Sequence, residues 1–207
     1  MTITPATALA AAMGCPPDEV RAPLEWLTDV ERDRAARFRF APDRIAFVAA
    51  HLLVRLCAGR VLGADPGELT LAQHCDVHGP GHGRPYLVEA PELGVSLSHT
   101  RGYVCAAAGP GRVGVDAERV PPGPLDRTLA PIALTPAELA GARGNEDLIR
   151  HWVRKEALIK RGELTLAEMA TAEPDWTGRH LLEWHAEPDV LVAVITDSPA
   201  TRLPMSG

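Results

Sequence analysis

Gly109-Pro110-Gly111 is the feature that most restricts how this chain can fold. It lies between two β-branched or small-residue runs, Tyr103-Ala108 and Val113-Ala117, and such a break reads as a sharp turn between strands. Two helices followed by strands occur on either side of it. Before it come a helix over Leu24–Phe40, a helix over Asp43–Gly59, and the strand-like runs Val95-Leu97 and Tyr103-Ala108. After it come the run Val113-Ala117, a helix start at Leu134-Thr135-Pro136-Ala137-Glu138, a helix over about Asn145–Arg161, and a hairpin of Leu181-His185 and Val190-Thr196. Periods of 3.6 and 2 mixed in this way predict an α+β fold. The boundary divides the chain into two α+β halves of similar size, 1–108 and 109–207, with no internal sequence repeat.

Local chemistry supports the individual elements. Thr28 precedes acidic first-turn residues Asp29 and Glu31, and the helix it caps becomes basic through Arg32, Arg34, Arg37 and Arg39. From Asp43, the residues Ile45, Val48, Leu52, Leu53, Leu56 and Cys57 recur at helical spacing, with Arg44, His51 and Arg55 on a stripe away from the main apolar face. Gly59 and Gly63 supply stop signals. Thr135, Pro136 and Glu138 make a capping box with proline in the first turn. The stretch from Leu69 to Leu87 reads as loop, because Gly79-Pro80-Gly81 and Gly83-Arg84-Pro85 interrupt it.

The chain has 207 residues, 46% of them hydrophobic, enough for a substantial core. Its net charge of -6 argues against nucleic-acid binding, which depends on basic contacts to phosphates. An anionic ligand would need a local basic cluster. The N-terminal Met1-Thr2-Ile3-Thr4-Pro5-Ala6 lacks a cationic region, and no membrane span is read, so a cytoplasmic protein is expected. Cys15, Cys57, Cys75 and Cys105 are far apart in sequence and read as reduced thiols.

Two acidic segments carry the chemistry. In Gly114-Val115-Asp116-Ala117-Glu118, alternation on a strand points Asp116 and Glu118 to one face. In Trp152-Val153-Arg154-Lys155-Glu156-Ala157-Leu158-Ile159-Lys160, Glu156 and Lys160 are four apart on a helix, in line with Trp152. As a surface pair they would contribute a few tenths of a kcal/mol. On a core-facing stripe they read instead as a site. Three carboxylates suit Mg²⁺, which takes a few carboxylates together with water and phosphate oxygens, and the lysine suits a pyrophosphate. Ser98 and His99, at the end of a strand, can receive a phosphate. Arg84 in its tight loop can meet an anion, with Pro85 as an apolar wall for a flat ring. Cys75-x₂-His78-x₃-His82 has the spacing of half a zinc site.

Together these segments resemble the signature pair of Sfp-type 4'-phosphopantetheinyl transferases. The resemblance extends to Gly83-Arg84-Pro85, Ser98-His99 and the two early helices, from about Arg32 to Arg161. It implies a pseudo-dimer of two similar α+β halves with coenzyme A in the cleft between them. Asp116, Glu118 and Glu156 would be the Mg²⁺ ligands, and Glu156, Lys160 and Asp116 the catalytic set. Lys160 and His99 would hold the pyrophosphate. Arg84, Ser98 and Arg34 would contact the 3'-phosphoadenosine end, with Pro85 near the adenine. Glu31 stands where a second basic residue is common in the family, and Phe47 where a small hydroxyl residue occurs. Arg37 or Arg44 would then complete the 3'-phosphate grip. Relatives with a Cys-x₂-Cys before the Gly-Arg-Pro loop have a knuckle that His78 alters here.

The activity so implied is transfer of the 4'-phosphopantetheine arm of coenzyme A to a serine of an apo acyl- or peptidyl-carrier domain of fatty-acid, polyketide or non-ribosomal peptide synthesis, including secondary metabolism, by a monomer. The segment from Val120 to Leu134 reads either as a carrier-docking patch, through Leu125, Leu129 and Ile132, or as a packed connecting loop. Two other functions fit the same residues: a Mg²⁺-dependent phosphodiesterase or nucleotide hydrolase, and a non-catalytic scaffold for carrier domains.

Overall fold

A computed structural model describes residues 9–75, 79–186 and 188–205, with 74, 75 and 79–82 described by backbone alone. The chain starts with β1 (Ala10–Cys15), then α1 (Asp29–Ala36), α2 (Ala41–Leu62), β2 (Leu71–Cys75), β3 (Gly79–Leu87), β4 (Leu93–Thr100), β5 (Tyr103–Pro110) and β6 (Val113–Arg119). After these come α3 (Ala130–Ala133), α4 (Pro136–Gly141), α5 (Asn145–Arg161), β7 (His180–Ala186), β8 (Val190–Thr196) and β9 (Ala200–Arg202). The fold is mixed α+β.

The strands form three sheets. One has the order β4-β5-β1-β9, the second is β2-β3, and the third has the order β6-β8-β7. The chain leaves the first sheet at Pro110 and enters the third at Val113, so the Gly-Pro-Gly turn carries it from one sheet to another. The segment after the turn does not keep to itself. β9 returns to the first sheet and pairs in parallel with β1. Helix α2 packs on β1, β4 and β5, while α5 packs on β6 and β8. Each long helix thus covers one sheet.

Several elements depart from the sequence reading. The helix expected over Leu24–Phe40 is a 3-10 turn at Leu24–Trp26 followed by α1. Leu27 is extended (φ -70°, ψ 137°), and Thr28 caps the helix afresh with a capping box to Glu31. α2 passes through Gly59 and stops at Gly63, whose φ of 65° supplies the left-handed cap. Gly59 serves a close approach instead, because a Cβ there would meet Pro66 Cγ at 2.8 Å and Ala64 O at 2.9 Å. The region read as loop from Leu69 to Leu87 holds the β2-β3 hairpin, with a register shift between Gln73 and His74.

His51 and Arg55 are not on an outer stripe. They are 4% and 0% exposed and meet the buried Glu31. By composition α2 is long and apolar enough to cross a membrane, but most of it is buried inside this fold. Cys15, Cys57 and Cys105 are buried free thiols. Burial pushes Cys15 and Cys57 up to about 12 and Cys105 higher still. They remain protonated near neutrality and are poor nucleophiles.

Glycine at position 114 sets the distance between α5 and β6. A Cβ there would lie 2.0 Å from Ala157 O and 2.9 Å from Arg161 Cγ. Backbone cannot yield as a side chain can, so Gly114→Ala should lower stability by about 1–3 kcal/mol or more through overpacking. Thermal unfolding would read this as a clear fall in Tm. An unchanged Tm would mean that α5 can lift off β6 at no cost.

Candidate active site

The site grows from the seam between two sheet edges. β4 is the edge of the first sheet and β6 the edge of the third. They meet through side chains. Alternate residues of β4 carry hydroxyls toward β6. Ser96 Oγ accepts from Val115 N at 3.1 Å, Ser98 Oγ donates to Asp116 Oδ1 at 2.8 Å, and Thr100 Oγ1 donates to Glu118 Oε1 at 2.8 Å. The period of two on both strands keeps these partners in register.

Lys160 closes the same seam from α5. Its Nζ donates to Leu97 O (3.3 Å), Val115 O (2.9 Å) and Asp116 Oδ1 (2.8 Å). One ammonium thus binds both edge strands and a carboxylate, using all three of its protons. The sequence suggested Glu156 as its helical partner, but the ion pair of Lys160 is with Asp116. The spacing put Glu156 and Lys160 on one face, whereas the choice of partner depended on how α5 lies across β6.

Asp116 and Glu118 share a face, as alternation requires, and Glu156 lies close enough to feel both. Burial raises the Glu156 carboxyl first. Asp116 and Glu118 add to the rise, and Lys160 opposes it. Mutual repulsion of this kind is relieved by a cation. The donor set therefore fits Mg²⁺ in kind: three carboxylates beside a basic cavity. The three are not drawn into a finished ligand cage. Among the described residues no group of three or more His, Cys, Asp and Glu stands ready to hold a metal ion. Lys160 supplies the positive charge at Asp116.

Beside the seam lies a cavity of about 590 Å³. Among the described residues its lining includes Arg34, Arg84, Lys160, His51 and His99, with no Asp or Glu. In a chain of net charge -6 this is a concentrated basic surface, suited in kind to an anion. The structure thus brings Arg34, Arg84, Pro85, Ser98, His99 and Lys160 to one cavity. Part of His99 is exposed, yet its pKa is lowered, first by burial and then by the charge of Lys160. Its imidazole is therefore a neutral hydrogen-bonding group near neutral pH.

The wall explains Phe47. Its ring lies 4.0 Å from the His51 ring and 5.2 Å from Phe38, centroid to centroid, and the Arg34 guanidinium sits over it at 5.3 Å. An aromatic platform under Arg34 takes the place of a hydroxyl. Gln73, which the sequence did not single out, also lines the cavity. Its Oε1 accepts from Arg34 Nη1 at 3.2 Å and its Nε2 donates to Gly83 O at 3.0 Å. It ties the arginine of α1 to the Gly83-Arg84-Pro85 loop. Only the β2-β3 pairing brings it there, and that hairpin was masked in the sequence by its glycines and prolines.

Arg37 and Arg44 lie elsewhere. Both are exposed, and neither lines the cavity. Arg44, exposed in the first turn of α2, borders a separate apolar groove between α1 and α2 that also includes Ile45 and Val48. Of the Cys75-His78-His82 spacing, His78 lies outside the described residues, and Cys75 and His82 are described by backbone alone. The segment from Val120 to Leu134 is anchored by part of its apolar side chains and otherwise exposed. Val120 lies against Ile149 and Val153, Leu125 and Leu129 lie against Ala130, Ala133, Leu134 and Leu148, and Ile132 stays 60% exposed.

No protein-family model matches the chain. Three curated proteins do. It is 24% identical over 135 residues to the 4'-phosphopantetheinyl transferase of Bacillus subtilis, covering 63% of this chain and 58% of that protein. It is 31% identical over 177 residues to the phosphopantetheinyl transferase of Thraustochytrium sp., covering 75% and 59%. It is 29% identical over 144 residues to the 4'-phosphopantetheinyl transferase HetI of Nostoc sp., covering 65% and 58%. The chain spans somewhat under three fifths of the length of these relatives. With its acidic seam, its basic cavity and these similarities together, the chain is a homologue of curated 4'-phosphopantetheinyl transferases.

Proposed function

We propose that this chain transfers the 4'-phosphopantetheine arm of coenzyme A to a serine of an apo carrier protein and releases 3',5'-ADP. One observation carries the reading: a cavity lined by Arg34, Arg84, Lys160, His51 and His99, with no carboxylate among the described residues, opens beside a seam bearing Asp116, Glu118 and Glu156. Coenzyme A is a multiply phosphorylated anion with a flat base. Arg34 and Arg84 would hold the 3'-phosphoadenosine end, and Pro85 would face the adenine. His99 and Lys160 would hold the pyrophosphate. Asp116, Glu118 and Glu156 would hold Mg²⁺, which when bound neutralises charge on the phosphate oxygens.

In the transfer, the serine oxygen forms a bond to the phosphorus that bears pantetheine. The bond from that phosphorus to the bridging oxygen of 3',5'-ADP breaks, and the serine proton leaves. Glu156, its carboxyl raised by burial and its acidic neighbours, is the base we assign. Lys160 compensates charge on the departing 5'-phosphate of 3',5'-ADP, an electrostatic contribution of the kind that dominates phosphoryl transfer. To do so it gives up one of its three seam partners.

The two helix-covered sheets fit a pseudo-dimer with the ligand between them, acting as a monomer in the cytoplasm. The partner would be an acyl- or peptidyl-carrier domain of fatty-acid, polyketide or non-ribosomal peptide synthesis, docking near the exposed Ile132. Intact-mass spectrometry of an apo carrier incubated with the chain, coenzyme A and Mg²⁺ tests the reading. A Mg²⁺-dependent phosphopantetheine adduct is expected. Coenzyme A cleaved with no protein modified would replace the reading with a hydrolase. Coenzyme A bound but unchanged across several carriers would replace it with a scaffold.

A further inference from the structure

Both strand carboxylates are held in the same unusual way. Asp116 Oδ1 accepts from Ser98 Oγ and Lys160 Nζ, each at 2.8 Å. Glu118 Oε1 accepts from Thr100 Oγ1 and from Arg119 N, each also at 2.8 Å. In each case two donors converge on one oxygen. Among the described residues the other oxygen, Asp116 Oδ2 or Glu118 Oε2, has no hydrogen-bond partner. In each case one of the two donors is a hydroxyl from β4, at alternate residues Ser98 and Thr100, and the acceptors are alternate residues of β6. One strand therefore helps to set the rotamers of both carboxylates on the other.

We propose that Thr100 is a positioning residue for a divalent cation. It fixes the Glu118 carboxylate so that Oε2 alone is offered, while its own hydroxyl never touches the ion. Ser98 does the same for Asp116. A carboxylate offering one oxygen leaves coordination positions for water and phosphate, as a small hard cation shared with a diphosphate requires. Groups that orient metal ligands commonly change affinity about 10- to 100-fold when removed. The inference rests on the Mg²⁺ reading of the acidic seam and adds to it a residue with no chemical role of its own. Ser98 is the weaker probe, because it also lines the basic cavity and Lys160 independently holds Asp116. Thr100 is the cleaner probe, since it does not line that cavity and the second donor to Glu118 Oε1 is the backbone N–H of Arg119, which stays in place when the Thr100 hydroxyl is removed.

The test is Mn²⁺ titrated calorimetrically into the full chain saturated with coenzyme A. Thr100→Val should weaken Mn²⁺ binding about 10-fold, with Thr100→Ser close to the parent. Coenzyme A affinity measured without metal, and Tm, should not change in either variant. If Thr100→Val does not fold, Thr100→Ala removes the same hydroxyl with less bulk. Parent-like Mn²⁺ affinity in the hydroxyl-free variant, alongside a weakened Glu118→Gln, overturns the role of Thr100 and leaves the metal site standing. Parent-like affinity in Glu118→Gln as well overturns the metal reading itself. Equal loss in Thr100→Ser and Thr100→Val shows that packing, rather than the hydroxyl, matters, and also overturns the proposal.

Discussion

Asp116→Asn is expected to lower phosphopantetheine transfer by about 100- to 1,000-fold while leaving a folded protein that still binds coenzyme A. The substitution keeps the shape of the side chain. Ser98 Oγ can still donate to the amide oxygen that replaces Oδ1, and Lys160 keeps its bonds to Val115 O and Leu97 O. The lost charge is what matters. Asp116 is 7% exposed and lies where both the proposed cation and Lys160 must be balanced. The stability cost should be about 1–3 kcal/mol, that of one weakened polar contact to a charged group. Coenzyme A affinity without metal should hold, because Asp116 does not line the basic cavity. Carrier mass spectrometry, calorimetry and thermal unfolding read the three effects separately. Transfer at the parent rate in Asp116→Asn would remove the acidic seam from the mechanism. A collapse of Tm in step with activity would show that Asp116 is needed for the fold instead.

What the sequence revealed about this fold was set by the range of the interactions. The capping box of Thr135 and Glu138, the helix over Asn145–Arg161 and the β7-β8 hairpin were legible because each depends on residues a few positions apart. β1 was not. Alanine has no strand preference, and Ala10–Cys15 is a strand because β5 pairs with it through the equally small Ala106, Ala107 and Ala108. The close fit extends to Gly109, where a Cβ would meet Ala10 Cβ at 2.5 Å. β9 was hidden for the same reason, since its partner lies at the other end of the chain. The site divides similarly. Strand alternation was enough to put Asp116 and Glu118 on one face. Nothing local indicated that Lys160 would pair with Asp116, that Gln73 would join Arg34 to Gly83, or that Thr100 would hold Glu118. Those contacts exist only because two sheet edges and a helix meet at one seam.

The largest stability effect should come from Glu31, which replaces a base expected beside Arg34. Its carboxylate lies under the cavity wall, 5% exposed. Arg55 Nη1 and Nη2 donate to it at 2.9 and 2.7 Å, and His51 Nδ1 lies 2.7 Å away. Arg55 is 0% exposed and also donates to Leu69 O and His51 O. Glu31→Gln leaves that guanidinium buried without its counter-charge, so a loss of about 3–5 kcal/mol is expected. That is a large share of a typical domain's total stability, about 5–15 kcal/mol. Glu31→Leu combined with Arg55→Met should recover much of it, since removing both charges removes the debt of burying either.

The pH dependence gives an independent check. Burial alone would raise the Glu31 carboxyl, but hydrogen bonds from His51 and Arg55 override it and lower it from 4.5 to about 2. A depressed carboxyl adds stability that is fully present above its unfolded pKa and is lost as pH falls toward the folded value. At about 1.4 kcal/mol per pH unit, Glu31 should account for about 3 kcal/mol, lost as the pH drops from about 4.5 to about 2. Urea unfolding of the parent across that window should show the decline, and the double variant should lack this share of it. A parent and double variant that lose stability equally there would mean that Arg55 is neutralised by something other than Glu31, and the cluster would lose its place as the anchor between α1 and α2.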